Sequence, residues 1–399
     1  MNKKFIVNVL ILLFIAIFML QCGQDNSNES SDTETGGDSA GTAQEENQKD
    51  STKVSKEYSS KDSKYPITVT DLKGRKVTIN EPVDRLVETY GPSALFTFAL
   101  DSVDKLVSRS ERPWDIGLAL YPDYVNATPI NYGGGRTNIE EVASLNPDLV
   151  ILYPMGNSLE QAAKLDELNI PSVIIEPEDK ERIKKSLGIL GKLLEAEEKA
   201  DTIIDYYDDI VKEIDNKTKD NPKPKVYYVD FDILQTISGD MMQSQMIEDA
   251  NGINVTGELK GWKQEVSYEQ LTVWNPDIII LSTFSRLKRD DILNNPQLQD
   301  ISAIKNGKIY KSPSELDPWD FPGPNFIMGI YWMAHIFHWE DITREDLANK
   351  INNYYTDVYG KSFKELGGSL ANDFTNFDVI TGATPEEDLN ELWREENLD

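Results

Sequence analysis

The clearest hydrophobic pattern in the chain is one stretch that occurs twice. The first copy runs from Asn138 to Leu152 (NIEEVASLNPDLVIL) and the second from Ser267 to Leu281 (SYEQLTVWNPDIIIL), so matched residues lie 129 positions apart. Each copy predicts a short helix, an Asn-Pro-Asp turn and a strand that is apolar at consecutive positions. Such a strand is buried on both faces, which is typical of a parallel sheet covered by helices. The repeat therefore predicts two similar α/β lobes.

The flanking segments add a hairpin and a long helix to this pattern. Ile67 to Ile79 alternates around an Asp-Leu-Lys-Gly turn and predicts a β-hairpin, and Ser93 is expected to cap a helix over 94–100. Apolar residues at helical spacing over 181–216 predict two helices, the second a long one that starts near Glu197. That second helix lies between the two copies of the repeat and would connect the lobes.

The first 63 residues differ in composition from the rest. Residues 1–22 have two lysines followed by an apolar run too short for a membrane span, which indicates an export signal. Cys22 follows at once and resembles the lipidated cysteine of a bacterial lipoprotein, although Gln21 stands where a small residue is usual. The alternatives are a plain cleaved signal or an uncleaved anchor. Residues 23–63 are polar and acidic and predict a disordered tether.

The remaining segments complete a predicted domain plan. It has an N-terminal α/β lobe over 64–196, a linker helix over 197–220, a C-terminal α/β lobe over 221–362 and an acidic tail over 363–399.

Charge and residue counts exclude several classes of protein. The formal net charge of −29 argues against nucleic acid as a partner, because nucleic acid is held mainly by cationic contacts to phosphate. Two histidines in the chain make a His-rich zinc or manganese site an unattractive interpretation. Both His335 and His338 lie in an apolar, predicted helical stretch, so neither is expected to be catalytic. No nucleophile–base pair is visible, and the Gly133–Gly135 run lacks the residues of a phosphate loop.

The order of these parts resembles a known family. The TVTDLKGRKVTI opening, the two repeat copies, the NGINV stretch at 251–255, the long helix and the PNFIMGIYWMA segment at 324–334 together resemble substrate-binding proteins of bacterial ABC importers for iron–siderophore complexes, haem and cobalamin. The resemblance covers roughly three quarters of the chain. It implies two Rossmann-like lobes joined by a rigid helix, a ligand in the cleft between them and little hinge closure.

Two glutamates occupy matched positions in the repeat. Asn138 and Ser267 are expected to be helix N-caps, each completing a capping box with the residue three positions on, which leaves Glu140 and Glu269 free. An acid in the first turn also stabilises a helix by interacting favourably with the helix dipole, so the two glutamates have a purely structural interpretation as well. The family resemblance implies instead that Glu140 and Glu269 dock onto arginines of the permease.

The ligand cleft is expected at the carboxyl ends of the strands, as in other open α/β sheets. Aromatic and arginine side chains there would suit a large, flat and often anionic ligand. The residues selected are Tyr90, Arg112, Trp114, Tyr132 and Tyr153 in the first lobe, and Phe231, Met241, Trp262, Phe284, Arg286, Trp319 and Phe321 in the second. A bare metal site is disfavoured, although Asp230, Asp232 and Asp317 lie in suitable loops.

These observations predict an extracytoplasmic solute-binding protein rather than an enzyme. It would capture an iron–siderophore or similar metal chelate and deliver it to an ABC permease in the inner membrane, as a monomer held at the membrane by a lipid anchor on Cys22. No cofactor is expected beyond the ferric chelate that forms the cargo. The alternatives are a cobalamin- or haem-binding member of the same family, haem being less favoured because the cleft loops hold no histidine, and an exported Rossmann-type enzyme.

Overall fold

The computed structural model describes residues 64–130, 137–153, 157–313, 316–368 and 370. The strands are β1 (Ile67–Thr70), β2 (Lys76–Ile79), β3 (Leu86–Glu88), β4 (Ser108–Ser110), β5 (Thr128–Ile130), β6 (Leu149–Leu152), β7 (Ser172–Ile174), β8 (Lys225–Val229), β9 (Gln235–Thr236), β10 (Ile253–Asn254), β11 (Gln264–Glu265), β12 (Ile278–Leu281) and β13 (Ile309–Lys311). The helices are α1 (Gly91–Ala99), α2 (Asp115–Leu120), α3 (Ile139–Ser144), α4 (Ser158–Glu167), α5 (Lys180–Leu194), α6 (Glu197–Thr218), α7 (Met242–Asp249), α8 (Tyr268–Trp274), α9 (Arg289–Leu293), α10 (Ser302–Lys305), α11 (Phe326–Phe337) and α12 (Arg344–Tyr359).

The first lobe is built on parallel strands behind an N-terminal hairpin. Strands β1 and β2 form the predicted antiparallel hairpin, whose turn places Gly74 at a φ of 79°, a left-handed conformation that glycine adopts without steric cost. The sheet has the order β3-β6-β7. The parallel pair β4-β5 joins its β3 edge through a bridge between Leu86 and Leu106.

The second lobe is built on a mixed sheet. Its order is β11-β9-β8-β12-β13, with β10 also paired to β8, and the central strands β8, β12 and β13 are parallel. The fold class predicted from the sequence, two α/β lobes with helix-covered parallel strands, is confirmed.

The two repeat copies form equivalent structures. In each, the Asp of the Asn-Pro-Asp turn binds the start of the neighbouring strand: Asp148 Oδ2 accepts from the Arg85 amide at 2.8 Å, and Asp277 Oδ2 accepts from the Lys225 amide at 2.9 Å. The strands that follow, β6 and β12, are buried at every position. Alternate side chains of each strand belong to different hydrophobic clusters, so both faces are covered, as the unbroken apolar pattern predicted.

Helix α6 connects the lobes and is packed along its length. Its 22 residues span about 33 Å at 1.5 Å per residue. The apolar stripe from Ala200 to Ile214 is buried in a cluster that contains residues of both lobes, and the Tyr207 hydroxyl donates to the carbonyl of Pro324 at 2.9 Å. Both helices predicted over 181–216 are present. No helix of the described residues is long and apolar enough to cross a membrane.

One local prediction is corrected by the structure. Ser93 is not the N-cap of its helix, which begins earlier at Gly91; instead its hydroxyl donates to the Tyr90 carbonyl at 2.6 Å. The first residues of the segment assigned to the tail pack on the second lobe, where Phe363 and Leu366 are buried. Residues 1–63, including Cys22, and most of the tail lie outside the described residues, and the predicted domain boundaries stay a prediction.

The two histidines are buried structural residues. His335 and His338 face the backbone carbonyls of Ile342, at 2.7 Å, and Asn251, at 3.2 Å. Burial lowers the pKa of His335 to about 4. A neutral, buried imidazole that is bonded to a carbonyl fits the expectation that neither histidine performs catalysis.

Candidate functional site

A cavity of about 890 Å³ lies between the two lobes. Its walls are formed where strands end: Tyr90 follows β3, Tyr153 follows β6, Asp230 follows β8 and Ser282 follows β12. The carboxyl ends of parallel strands meet at one edge of each sheet, so the first residues of the following loops face a common space. Helix α7 and the loop before α11 complete the walls.

Aromatic side chains on the second lobe are exposed beside the cavity. Phe231, Trp262 and Phe284 line it and retain 49%, 64% and 40% of their accessible surface. Phe284 and Phe321 pack edge to face with ring centroids 5.2 Å apart. Large apolar side chains rarely stay exposed in a group on a soluble protein unless they contact a partner or ligand. This group is therefore a candidate surface for contact with a solute.

One wall of the cavity carries a phenol–carboxylate pair from the first lobe. The Tyr153 hydroxyl donates to Glu178 Oε1, and the Tyr90 ring packs on Tyr153 with centroids 4.4 Å apart. Burial raises the pKa of Glu178, against the opposing effect of the hydrogen bond from Tyr153. Burial and the neighbouring Glu178 carboxylate likewise raise the pKa of Tyr153.

The second lobe supplies a similar pair. The Tyr228 hydroxyl donates to Asp320 Oδ2 at 2.5 Å, and the Asp320 carboxylate also accepts from the amide and hydroxyl of Thr283 at 2.8 and 2.6 Å. Tyr228 and Asp320 are almost fully buried. Burial raises the pKa of Asp320 despite these three hydrogen bonds. Both walls therefore present a carboxylate held by a tyrosine.

Acidic groups outnumber basic groups around the cavity. Among the described residues the lining includes two cationic side chains, and each is already paired. Arg182 Nε lies 3.0 Å from Asp179, and Lys263 Nζ lies 2.6 Å from Asp230 and 4.1 Å from the centre of the Phe231 ring. The carboxylates of the lining are Glu178, Asp179, Asp230, Asp240, Glu248 and Asp320. The described wall of the cavity is consequently negative.

A polar bridge joins the lobes beside the cavity. The amide of Lys180, at the start of α5, donates to Gln245 Oε1 on α7 at 2.9 Å, and Lys180 Nζ lies 2.8 Å from Asp249 Oδ2 on the same helix. The side chains of this ion pair are 17% and 18% exposed. The bridge adds a polar contact between the two walls.

The structure separates the residues that the sequence selected for the cleft. Those that line the cavity are Tyr90, Tyr153, Phe231, Met241, Trp262, Phe284 and Phe321. Trp114 lies close by, with its ring centroid 6.4 Å from that of Phe321 and its Nε1 donating to the Gly91 carbonyl. Arg112 and Arg286 are exposed and outside the lining, and Tyr132, like the Gly133–Gly135 run, lies outside the described residues.

The prediction that Trp319 lines the cleft is wrong. Its side chain is 1% exposed, its Nε1 donates to the Tyr355 hydroxyl at 2.9 Å, and its ring packs on Phe363. It was selected because it lies in a polar loop, but that loop turns its indole into the core and its neighbours Asp320 and Phe321 towards the cavity. A loop has no periodicity from which these directions could be read.

Several polar cavity residues were missed by the sequence interpretation. Glu178 and Asp320 were not selected because single acids carry no signal in a chain with 69 of them. Glu178 would have been found by applying the strand-end rule to β7, which ends at Ile174. Asp230 was considered only as a metal ligand, and no cluster of three or more metal-binding side chains exists among the described residues.

Glu140 and Glu269 are exposed at the starts of α3 and α8. The predicted N-caps are present: Asn138 Oδ1 accepts from the amides of Glu140 and Glu141, and Ser267 Oγ accepts from the amide of Gln270. The predicted capping boxes are not formed among the described residues, and Glu269, expected to be free, bonds Ser267. A hydrogen bond with Ser267 lowers the pKa of Glu269, which favours its charged form.

A family model for periplasmic binding proteins matches residues 87–316, more than half of the chain. The chain belongs to this family. Both lobes and the cavity between them lie largely within the matched range, so the resemblance seen in the sequence is confirmed. Members of the family bind small solutes outside the cytoplasm and work with a permease.

Relatives of this periplasmic binding protein are binding proteins as well. The molybdate-binding protein MolA of Haemophilus influenzae is 26% identical over 326 residues, which cover 74% of this chain and 92% of MolA. An uncharacterized ABC transporter substrate-binding lipoprotein of Bacillus subtilis is 25% identical and covers 68% of this chain and 85% of its own length. The crystal structure of a periplasmic solute binding protein from Veillonella parvula superposes with a TM-score of 0.69 and 28% identity, covering 80% of this chain and 99% of that one.

Proposed function

We propose that this periplasmic binding protein captures a bulky metal chelate, such as a ferric siderophore or a cobalamin, in the cavity between its lobes and delivers it to an ABC permease. The observation that carries the proposal is the cavity itself, about 890 Å³ and bordered by exposed Phe231, Trp262 and Phe284. Pockets for organic ligands of this kind measure about 300–1,000 Å³ and are lined mainly by apolar side chains.

The size of the cavity favours a chelate over a small oxyanion. MolA, one of the relatives, is named for binding molybdate, a dianion of few atoms. A water molecule occupies about 30 Å³ of liquid, so a five-atom oxyanion would leave most of this cavity filled with solvent. The aromatic rings would also gain nothing from such a ligand, whereas they can cover the organic framework of a chelate.

Transport, rather than catalysis, is the role that the polar groups support. The tyrosines and carboxylates of the two walls are bonded to each other in Tyr153–Glu178 and Tyr228–Asp320. Among the described cavity residues no serine or cysteine is held by a general base, which an enzyme with a covalent mechanism would need. Ser282 donates to the backbone carbonyl of Asp230, and Lys263 forms an ion pair with the Asp230 side chain. The relatives reported above are all named as binding proteins.

Delivery would use the matched glutamates and a lipid anchor. Glu140 and Glu269 are exposed, one on each lobe, at equivalent positions of the repeat, where a symmetric pair of basic sites on a permease could accept them. A lipid on Cys22 and the polar segment over 23–63 would hold the folded part near that permease. The named lipoprotein from Bacillus subtilis is a relative with such an anchor.

The test is a fluorescence titration of the full-length protein with ferric hydroxamates, a ferric catecholate, haem, cobalamins, molybdate and free Fe³⁺. Because Trp262 borders the cavity, binding of an absorbing chelate should quench its emission. Saturable quenching by one chelate below micromolar concentration supports the proposal. Binding of molybdate alone, or of none of these solutes, would overturn it.

A further inference from the structure

The carboxylates of Glu178 and Asp320 in the cavity walls have no cationic side chain beside them among the described residues. Within the described part of the chain, neither Glu178 nor Asp320 lies within 4.0 Å of a lysine, arginine or histidine nitrogen, although sixteen such ion pairs form elsewhere. Each is instead held by a tyrosine, Tyr153 on one wall and Tyr228 on the other. A tyrosine hydroxyl supplies a hydrogen bond but no positive charge.

The cations in the described lining of the cavity are already paired with carboxylates. Arg182 contacts the carboxylates of Asp179 and Glu176, at 3.0 and 3.5 Å, and Lys263 contacts Asp230 at 2.6 Å. The positive charge of each is therefore already compensated by a carboxylate. The arginines expected to bind an anionic ligand, Arg112 and Arg286, are outside the lining.

We propose that the cavity selects a metal chelate with a net positive charge, whose cationic part is bound by the carboxylates of Glu178 and Asp320 while its organic framework lies on the aromatic rings. This inference rests on the proposed function and specifies the class of solute for the same cavity. Burial raises the pKa of both carboxylates, and a cation next to either one would favour its charged form. An anionic chelate would meet two carboxylates that, among the described residues, have no cation within 4.0 Å, which is unfavourable.

Probes of matched shape and different charge test this directly. Ferrioxamine B carries a free ammonium group, whereas ferrioxamine E is a neutral ring around the same ferric hydroxamate centre. Aquocobalamin is a monocation and cyanocobalamin is neutral. Within whichever chelate class binds, the cationic member should bind at least about tenfold more tightly than the neutral one, which is 1.4 kcal/mol. A trianionic ferric catecholate and dianionic haem should bind more weakly than either.

Variants link the preference to the named carboxylates. Glu178→Gln keeps the size of the side chain and its bond with Tyr153, and it should reduce the cationic preference to about threefold or less while leaving affinity for the neutral probe within twofold. The matched control is Glu181→Gln, which removes the same charge from the exposed first turn of α5, outside the cavity lining. Asp320→Asn provides a second readout on the other wall, with circular dichroism to confirm that it folds.

The outcomes separate this inference from the proposed function. Tighter binding of an anionic or neutral chelate than of its cationic counterpart overturns the charge selection and leaves the chelate-binding role in place. An unchanged cationic preference in both Glu178→Gln and Asp320→Asn overturns the assignment of these carboxylates. Failure of every chelate to bind overturns the proposed function and this inference together.

Discussion

Lys180 Nζ lies 2.8 Å from Asp249 Oδ2, and this ion pair connects the first lobe to helix α7 of the second. Both side chains are largely buried, and the Lys180 amide also donates to Gln245 on the same helix. The two walls of the cavity are therefore held by a polar contact as well as by the buried stripe of α6. We expect the unliganded cleft to have a defined width for this reason.

Breaking this pair should weaken the fold. Lys180→Met retains the aliphatic stem but leaves the Asp249 carboxylate without its cation, so the free energy of unfolding should fall by about 1–3 kcal/mol. Urea denaturation at neutral pH measures the change. The double variant Lys180→Met with Asp249→Asn should recover part of the loss, because the remaining partner is no longer charged.

The control for that experiment is an exposed pair of the same chemistry. Lys164 and Glu160 form an i,i+4 ion pair on α4 with side chains 52% and 58% exposed. Lys164→Met should change the free energy of unfolding by less than about 0.5 kcal/mol, since water screens such pairs. Equal losses for the Lys164 and Lys180 variants would contradict a special role for the bridge between lobes.

Trp262 should contribute strongly to solute affinity. The side chain borders the cavity and is 64% exposed, so covering it with a chelate would bury a large aromatic surface. Trp262→Ala should weaken binding of the tightest chelate by about tenfold or more, measured by calorimetry. Trp339→Ala is the matched control, since Trp339 is 40% exposed and lies outside the cavity lining; affinities that fall equally in both variants would refute the assignment.

The matched glutamates should affect transport and not binding. Glu140→Ala combined with Glu269→Ala should abolish uptake of the solute by cells, whereas the affinity of the purified protein stays within twofold, because neither residue lines the cavity. Uptake of a radiolabelled chelate and calorimetry are the two measurements.

The competing interpretation is that Glu140 and Glu269 only stabilise their helices. A second double variant tests it. Glu181 and Glu345 are also exposed acids in the first turns of helices. Glu181→Ala with Glu345→Ala should leave uptake unchanged. A docking role would be ruled out if this double variant lost uptake as fully as the Glu140 and Glu269 variant.

His335 should make the protein less stable in mild acid. Burial lowers its pKa to about 4 in the folded protein, compared with 6.5 in an unfolded chain. The unfolded state therefore takes up a proton first as the pH falls, and stability present above pH 6.5 is lost down to about pH 4, by up to about 3 kcal/mol.

Asp317 acts in the opposite direction over part of this range. Burial raises its pKa to about 6, so its contribution to stability falls as the pH rises from 3.8 to about 6. The effect of His335 is isolated by subtracting the pH profile of His335→Gln, which can still donate to the Ile342 carbonyl, from that of the wild type. Parallel profiles between pH 6.5 and 4 would show that His335 does not titrate as described.

The order of helices and strands could be predicted from the sequence because it depends on local periodicity. The unbroken apolar runs of the two repeat copies predicted strands buried on both faces, and β6 and β12 are such strands. The end of α5 and the start of α6 follow from an apolar stripe that is interrupted once. The N-cap at Ser93 was misjudged because Pro92 already suits the first turn of a helix that begins at Gly91.

The candidate site could be predicted only in part from the sequence, because some of its residues follow strands and others lie in a long loop. The rule that strand ends face the cleft found Tyr90, Tyr153 and Phe231, because a residue within two positions of the end of a strand has little freedom to point elsewhere. The same rule gives no direction within the long loop before α11. There Trp319 turned out to be core, and the carboxylate beside it became part of the cavity wall.

The sequence by itself determined two α/β lobes, the helix between them and the matched positions of Glu140 and Glu269, because periodicity and repetition are properties of the chain. Only the tertiary structure decided the charge of the cavity. Glu178 and Asp320 belong to different lobes and line the same cavity only when the lobes pack along α6. Whether a cation accompanies a buried carboxylate depends on which side chains meet in space, and the chain order does not encode that in any local pattern.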